Sequence, residues 1–237
     1  AYYKERFSLA YATDVCACSW RAADWLYGAQ IPRDRIQILP NAVDTARFRF
    51  DREVRDRGRG RLGLAGRVVV GHVGRYSFTK NQEFLVRSFA RAHKRNPRLY
   101  LIMIGQGENI RVVRELVHKL GLSESVRCCG WMDSIPDFLQ VLDLFCLPSR
   151  FEGLPISVVE AQAAGLRCLV SEAVAPETDL TGLVDFLPLD EGLWSEALAE
   201  ARVSGDRGSV EACFDRAGYS MEASCRKLKR LYGSVGN

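Results

Sequence analysis

The sequence predicts an α/β protein with a doubly wound parallel sheet. From residue 67 onward, short apolar runs alternate with longer amphipathic stretches, the pattern of strands joined by crossover helices. The apolar runs are continuous rather than alternating, as expected for strands that are buried on both faces. Residues 67–190 therefore form the predicted domain, which we expect to be Rossmann-like.

The predicted strands and helices follow one another regularly through this domain. Strands are expected at residues 68–73, 99–104, 125–129, 144–147, 167–171 and 184–187. Helices are expected between them at residues 81–94, 110–120, 135–141 and 156–164. Gly121 and Gly165 stand where two of these helices should end.

The flanking segments give weaker signals. Residues 1–40 predict a tail with a helix end, a strand at 13–18, a helix at 20–27 and a short apolar piece at 37–40. Residues 41–66 are expected to be a linker. Its residues 51–61 carry five arginines, three acids and two glycines, which favours a solvated segment. Residues 191–237 predict closing helices at 193–202 and 209–232. Because the first residue is alanine, we expect a piece of a longer protein.

Composition excludes several classes of protein. Hydrophobic residues make up 47% and charged residues 26%, the usual globular balance. The net charge of +4 is too small to indicate a nucleic-acid partner. The eight cysteines match no zinc-binding spacing, so we expect free thiols, no metal site and a cytoplasmic location. The longest apolar run, at 99–104, is too short to span a membrane.

The loop after the first strand of this domain carries two cations. Ligands of an open α/β sheet bind outside the carboxyl ends of its strands, and residues 74–81 lie at such an end. Gly74 permits close backbone approach, while Arg75 and Lys80 bring positive charge to the start of a helix. Two cations and free helix amides suit a pyrophosphate. The loop does not match the Gly-x-x-x-x-Gly-Lys-Ser/Thr motif.

The loop after the fourth strand carries two carboxylates. Pro155 suits the start of a helix whose free amides would face the strand ends. Glu160, just over one turn inside that helix, can reach a vicinal diol such as a ribose, and Glu152 can reach a sugar hydroxyl. A solvated carboxylate is the alternative for Glu160, although its alanine neighbours favour close packing.

These motifs together resemble a known family. Glu152 and Glu160 are separated by seven residues. With the motifs Glu-Gly-Leu-Pro, Glu-Ala-Gln-Ala-Ala-Gly and Gly-Arg-x-x-x-x-Lys-Asn, the sequence is similar to the retaining glycosyltransferases of family 4. That family has the two-domain GT-B fold, and the resemblance, over about residues 41–189, is to its bacterial exopolysaccharide and capsule branch. It implies that this chain is the carboxy-terminal, donor-binding half.

The resemblance also implies roles for individual residues. Arg75 and Lys80 would hold the diphosphate of a nucleoside diphosphate sugar, with UDP favoured, and Glu160 would bind the ribose. Glu152 would contact the donor sugar, and it would form the catalytic set with Arg75 and Lys80. Further donor contacts are implied for Gly74, Gly105, Gly107, Trp131, Met132, Gly153, Leu154, Pro155 and Ile156. The 105–107 segment lacks the third glycine of a dinucleotide fingerprint, so NAD binding is rejected.

The resemblance further implies metal-independent, retaining transfer to a glycan or a lipid-linked acceptor. The family's amino-terminal Rossmann domain would supply the acceptor pocket and any peripheral contact with the inner face of the membrane. Arg167 stands where the family usually has proline. Three other functions stay open: a glycoside hydrolase that uses Glu152 and Glu160, a non-catalytic nucleotide-sugar-binding module, and a sugar-nucleotide epimerase. The cations argue against the hydrolase, and the spacing of the carboxylates argues against the epimerase.

Overall fold

The computed structural model describes residues 12–205 and 207–233. Its helices and strands, in chain order, are β1 (Val15–Ala17), α1 (Trp20–Tyr27), β2 (Ile36–Ile38), α2 (Thr45–Phe48), α3 (Arg52–Arg61), β3 (Val68–Val73), α4 (Gln82–Arg95), β4 (Leu99–Ile104), α5 (Ile110–Lys119), β5 (Val126–Cys129), α6 (Ile135–Val141), β6 (Leu144–Leu147), α7 (Ile156–Ala163), β7 (Cys168–Ser171), β8 (Val184–Leu187), α8 (Glu191–Ala199), α9 (Glu211–Ala217) and α10 (Met221–Gly233). The strands and crossover helices predicted between residues 67 and 190 are all present, with ends within one residue of the prediction.

The central sheet is doubly wound, as predicted. Within the described residues it has six parallel strands in the order β5-β4-β3-β6-β7-β8. The winding reverses between β3 and β6, and such a switch point leaves a crevice at the carboxyl ends of the strands. β3 pairs with β4 along its whole length, but its pairing with β6 ends at Gly71 and Phe145. The crevice therefore opens just beyond Gly71.

Apolar side chains on both faces of the sheet hold the helices. On one face, Val69 and Phe145 belong to a buried cluster that includes residues of α6 and α7. On the other face, Val70 and Met103 pack with residues of α4, α5 and α8. Burial on both faces explains why these strands appear in the sequence as continuous apolar runs.

Residues 51–61 are mostly exposed, as predicted for a solvated segment, but one of their arginines is buried and makes an ion pair. These residues form α3, which begins where the carboxylate of Asp51 accepts a hydrogen bond from the backbone N–H of Val54 at 3.0 Å. Arg55 is buried and forms an ion pair with Asp143, and Arg59, one turn later, also binds Asp143, at 3.0 Å. The two arginines lie on one face of the helix because they are four residues apart. Charge count alone could not reveal their buried partner.

The flanking segments pack against the central domain. β1 and β2 form a small parallel pair, which matches the strand predicted at 13–18 and the apolar piece at 37–40. The predicted helix end at residues 1–11 lies outside the described residues. The stretch 209–232 forms two helices, α9 and α10, because Gly218 adopts a φ of 79° and ends the first. None of the described helices is long and apolar enough to cross a membrane.

Candidate functional site

The loops that follow β3 and β6 are joined across the crevice. Asn81 connects them, since its amide donates to the carbonyl of Pro148 at 3.2 Å and its side-chain oxygen accepts from Arg150 at 3.0 Å. The backbone N–H of Arg150 donates to the carbonyl of Thr79 at 2.8 Å. Asn81 has a φ of 56°, which asparagine tolerates better than most residues. The Lys-Asn pair of the sequence motif thus closes one loop onto the other.

Lys80 and Glu152 meet in this crevice. The Lys80 Nζ donates to the Glu152 Oε1 at 2.5 Å, and the hydroxyl of Ser149 donates to the same oxygen at 2.8 Å. The two side chains are only 20% and 13% exposed, so the pair is largely shielded from solvent. A cation in this position suits an anionic ligand, because a phosphate oxygen can take the place of the carboxylate oxygen.

Arg75, the second predicted cation, points to the other side of the loop. Its guanidinium lies 3.2 Å from the carboxylate of Glu108, which belongs to the loop after β4. The pKa of Glu108 is lowered, first by a hydrogen bond from its own backbone N–H and then by Arg75. Arg75 and Lys80 thus extend from one loop in two directions. Sequence reasoning did not identify Glu108 as the partner, since no motif indicated it.

Glycines allow the loops after β3 and β4 to touch. A Cβ on Gly105 would lie 2.0 Å from the carbonyl oxygen of Gly74, and one on Gly107 would lie 2.2 Å from that of Tyr76. Their φ values of +148° and +154° also favour glycine. Tyr76 is fully buried and its hydroxyl donates to the carbonyl of Met103 at 3.1 Å, which anchors the loop in the core. Gly105 and Gly107 are therefore required for the conformation of their own loop and for its contact with the loop after β3.

A cleft of about 620 Å³ lies beside these glycines. It brings together six predicted site residues: Gly74, Arg75, Gly105, Gly107, Trp131 and Met132. Trp131 is 77% exposed, and its indole N–H donates to Asp133 at 3.1 Å. Ile135, the first residue of α6, completes the apolar wall. Apolar walls with a few polar groups suit a flat heterocycle such as a nucleobase.

The loop 153–156 leads into α7. Pro155 occupies the position before the helix, and no side chain of the described residues caps the first amides of α7. Such amides bind anions readily. Glu160 is half-buried in α7, and burial raises the pKa of its carboxyl while Arg47 opposes the shift. The half-buried position agrees with the close packing that its alanine neighbours indicated.

Helix α1 also contacts this region, which sequence reasoning missed. A Cβ on Gly153 would lie 3.7 Å from the Cβ of Ala22, and the guanidinium of Arg21 donates to the carbonyl of Ala173 in the loop after β7. The contact joins residues more than a hundred positions apart, so no local pattern signals it. In the described part of the chain, no group of three His, Cys, Asp or Glu side chains could hold a metal ion.

Known proteins resemble this chain in sequence and in fold. The family model described as "Glycosyl transferases group 1" matches residues 55–180. The putative glycosyltransferase EpsF of Bacillus subtilis is 32% identical over 96% of this chain and 61% of its own length. A GDP-mannose-dependent alpha-(1-6)-phosphatidylinositol monomannoside mannosyltransferase of Mycobacterium tuberculosis is 32% identical over 74% of this chain and 49% of its own length.

The fold agrees with this assignment. The crystal structure of Anabaena HepE in complex with UDP and glucose superposes with a TM-score of 0.81 at 19% identity, over 95% of this chain and 64% of that one. The chain thus spans less than two thirds of the length of these relatives. The match over residues 55–180, more than half of the sequence, shows that the chain belongs to the group 1 glycosyltransferase family.

Proposed function

We propose that this chain binds the donor of a glycosyltransferase that moves a sugar from a nucleoside diphosphate sugar, with UDP favoured, to a glycan or lipid-linked acceptor in polysaccharide synthesis. The observation that carries the proposal is the Lys80–Glu152 pair, which bridges the crevice at the switch point with a distance of 2.5 Å. The family membership of residues 55–180 supports it. HepE, whose fold is similar, was crystallised with UDP and glucose.

Lys80 would bind the diphosphate from the crevice, and Arg75 would turn from Glu108, its partner in the free chain, to bind it from the other side of the loop. As the bond to the sugar breaks, the departing nucleoside diphosphate gains negative charge on its outer phosphate. Lys80 lies in the crevice where that phosphate would bind, and the first amides of α7, which no side chain caps, would add further donors. Fixed donors of this kind stabilise developing charge. The reaction then needs no metal ion for this step, and we propose transfer with retention of configuration.

The nucleoside would occupy the cleft beside Trp131 and Met132. Glu160 would accept hydrogen bonds from the ribose hydroxyls, and its half-buried position keeps solvent from competing. Glu152 would turn from Lys80 to a hydroxyl of the donor sugar once a phosphate binds Lys80. Gly153, Leu154 and Ile156 would approach the phosphates through their backbone N–H groups, and Pro155, which has no N–H, would set the direction of the turn.

The rest of the enzyme would complete the reaction. We propose that residues 1–40 continue an amino-terminal Rossmann domain, that residues 41–66 connect it to the donor domain at 67–190, and that 191–237 close the structure. That domain would supply the acceptor pocket and any contact with a membrane. We therefore propose that the chain alone binds donor without transferring sugar, because the second wall that would exclude water from the crevice belongs to that amino-terminal domain.

The alternatives fit the site less well. A hydrolase needs two carboxyl groups free to act on the glycosidic bond, whereas Glu152 is engaged by Lys80 and Ser149. A non-catalytic module and an epimerase would share the nucleotide site, so only turnover separates them from a transferase. The chain fused to an amino-terminal domain of a relative should transfer sugar from nucleotide to acceptor, and epimerised nucleotide sugar as product would contradict the proposal.

A ligand panel tests donor binding directly. Thermal unfolding of this chain is measured with UDP, GDP, UDP-glucose and a free oligosaccharide, because a ligand at a hundred times its Kd stabilises by about 2.7 kcal/mol. We expect stabilisation by UDP and UDP-glucose and none by the oligosaccharide. Stabilisation by the oligosaccharide alone would favour the hydrolase. Stabilisation by GDP rather than UDP would show that the nucleobase of the donor is guanine, not uracil.

A further inference from the structure

His72 lies fully buried on β3, below the loop that carries Arg75 and Lys80, and the proposed function uses none of its atoms. Its Nδ1 is 2.9 Å from the carbonyl oxygen of Cys146 on β6. A carbonyl oxygen can only accept, so Nδ1 carries the hydrogen and donates it. Nε2 is then the acceptor, and the side-chain amide of Gln82 lies 3.1 Å away to donate to it.

This side chain occupies the place where the sheet stops pairing. The β3–β6 ladder ends at Gly71 and Phe145, and His72 and Cys146 are the next residues on the two strands. The imidazole therefore spans the opening of the crevice with a hydrogen bond that the backbones no longer make. It fixes the separation of the two strands whose loops carry Lys80 and Glu152.

The same network reaches the phosphate loop through Gln82. The amide nitrogen of Gln82 donates to His72 and, at 2.9 Å, to the carbonyl oxygen of Arg75. A Cβ on Gly74 would lie 3.2 Å from the His72 Nε2 and 3.3 Å from the Lys80 Cδ, so the ring and the lysine side chain both lie beside Gly74. A chain of hydrogen bonds thus runs from β6 through His72 and Gln82 to Arg75 in the loop.

The surroundings keep His72 neutral, as this bonding requires. Burial lowers the pKa of His72 to about 4, against the effect of the Cys146 carbonyl, and the nearby charge of Lys80 lowers it further. Lys80 is itself paired with Glu152. A protonated ring would turn Nε2 into a donor facing the Gln82 amide, and would break the network at that point.

We propose that His72, acting through Gln82, is a positioning residue that holds the β3 and β6 loops at the separation needed to bind a nucleoside diphosphate. The inference rests on the proposed function, in which Lys80 and Arg75 bind the diphosphate. His72 itself contacts no substrate. Its removal should weaken contacts to the phosphates and leave contacts to the nucleoside intact.

Four variants test this inference. His72→Phe removes both ring hydrogen bonds, His72→Asn retains a donor near the Nδ1 position, and Gln82→Leu removes the link to Arg75. Ser88→Ala is the matched control, because Ser88 is also fully buried on α4 and its hydroxyl has no partner among the described residues. Calorimetry with UDP and with uridine measures the phosphate and nucleoside contacts separately.

His72→Phe and Gln82→Leu should raise the Kd for UDP about tenfold, the effect of roughly one buried hydrogen bond, with the Kd for uridine unchanged. His72→Asn should recover part of the loss, and Ser88→Ala should behave as the parent chain. UDP affinity unchanged in folded His72 and Gln82 variants overturns the inference. Equal losses for UDP and uridine also overturn it, because they indicate general loosening. If His72→Phe does not fold, Gln82→Leu decides.

Nitrogen NMR of the ring tests the network without any ligand. The chain has three histidines, so the His72 signals can be assigned by substitution. We expect a neutral ring with hydrogen on Nδ1 that resists protonation down to about pH 4. Hydrogen on Nε2, or titration near pH 6.5, overturns the inference. If the unsubstituted chain binds no UDP but its His72 ring is neutral with hydrogen on Nδ1, the proposed function is refuted and the hydrogen-bond network is confirmed.

Discussion

Replacing Asp143 by asparagine should be among the most damaging single changes to the stability of this fold. The side chain of Asp143, the residue just before β6, is fully buried. One carboxylate oxygen accepts from Arg55 and from the backbone N–H of Ser204 at 2.9 Å, and the other accepts from Arg59 at 3.0 Å and from the N–H of Val69 at 2.7 Å. In asparagine, an NH2 group takes the place of one of these oxygens, so a hydrogen-bond donor would face two other donors.

The expected loss follows from the buried charges. Removing one partner of a buried ion pair costs about 3–5 kcal/mol, against a total stability of about 5–15 kcal/mol for a typical domain. Arg207 adds to the imbalance, because burial and the charge of Arg55 lower its pKa to about 9 while Asp143 opposes the shift. Without Asp143, Arg55 and Arg59 would lose their shared ion-pair partner, and Arg207 would lose the carboxylate that offsets their charges.

Urea unfolding followed by circular dichroism measures the loss. Asp185→Asn is the matched control, since Asp185 pairs with Arg167 at 2.8 Å but the two side chains are 52% and 68% exposed. Such an exposed pair contributes about 0–1 kcal/mol. If Asp143→Asn lowers the free energy of unfolding by no more than Asp185→Asn does, the reasoning about the buried cluster is refuted.

Three further predictions concern the site. Glu160→Gln should weaken UDP binding more than binding of 2′-deoxy-UDP in calorimetry, because the change targets a diol; equal losses would contradict that role. Gly105→Ala should lower the melting temperature more than Gly74→Ala, since its Cβ would meet backbone at 2.0 Å rather than side-chain atoms at 3.2 Å, and the reverse order would be a contradiction. Because folding lowers the pKa of His72 from 6.5 to about 4, the unfolded chain binds the proton more tightly, so the free energy of unfolding should fall as pH falls from 6.5 to 4, by up to about 3 kcal/mol. His72→Phe should lack this part of the pH dependence in urea titrations, and an unchanged slope would contradict the assignment.

The sheet could be predicted closely because burial on both faces leaves an unambiguous pattern. β4 and β6 lie at the predicted residues, since each is a continuous apolar run. The topology rule for parallel sheets then located the site, because it places the loops after β3 and β6 side by side. Lys80 and Glu152, predicted from separate motifs, do meet there.

The features that sequence reasoning missed depend on contacts between distant residues. The buried role of Arg55 requires Asp143, which is 88 positions away. Gly105 and Gly107 were predicted to contact the sugar donor, and both do line the cleft. Their conformations also allow the loops after β3 and β4 to touch. His72 appeared only as one residue of an apolar strand, because its role depends on Cys146 across the sheet.

Calorimetry on Lys80→Ala tests the central claim most directly, that this crevice binds the diphosphate of a nucleotide. Arg91→Ala serves as control, since Arg91 is an exposed cation on α4 that pairs with Glu191 of α8 at 3.1 Å and has no contact with Lys80 or Glu152. We predict that Lys80→Ala weakens UDP binding by about 1.5–3 kcal/mol, the value of a charge-assisted hydrogen bond, and leaves uridine binding unchanged. Equal weakening of UDP and uridine, or no change in either, would contradict the account.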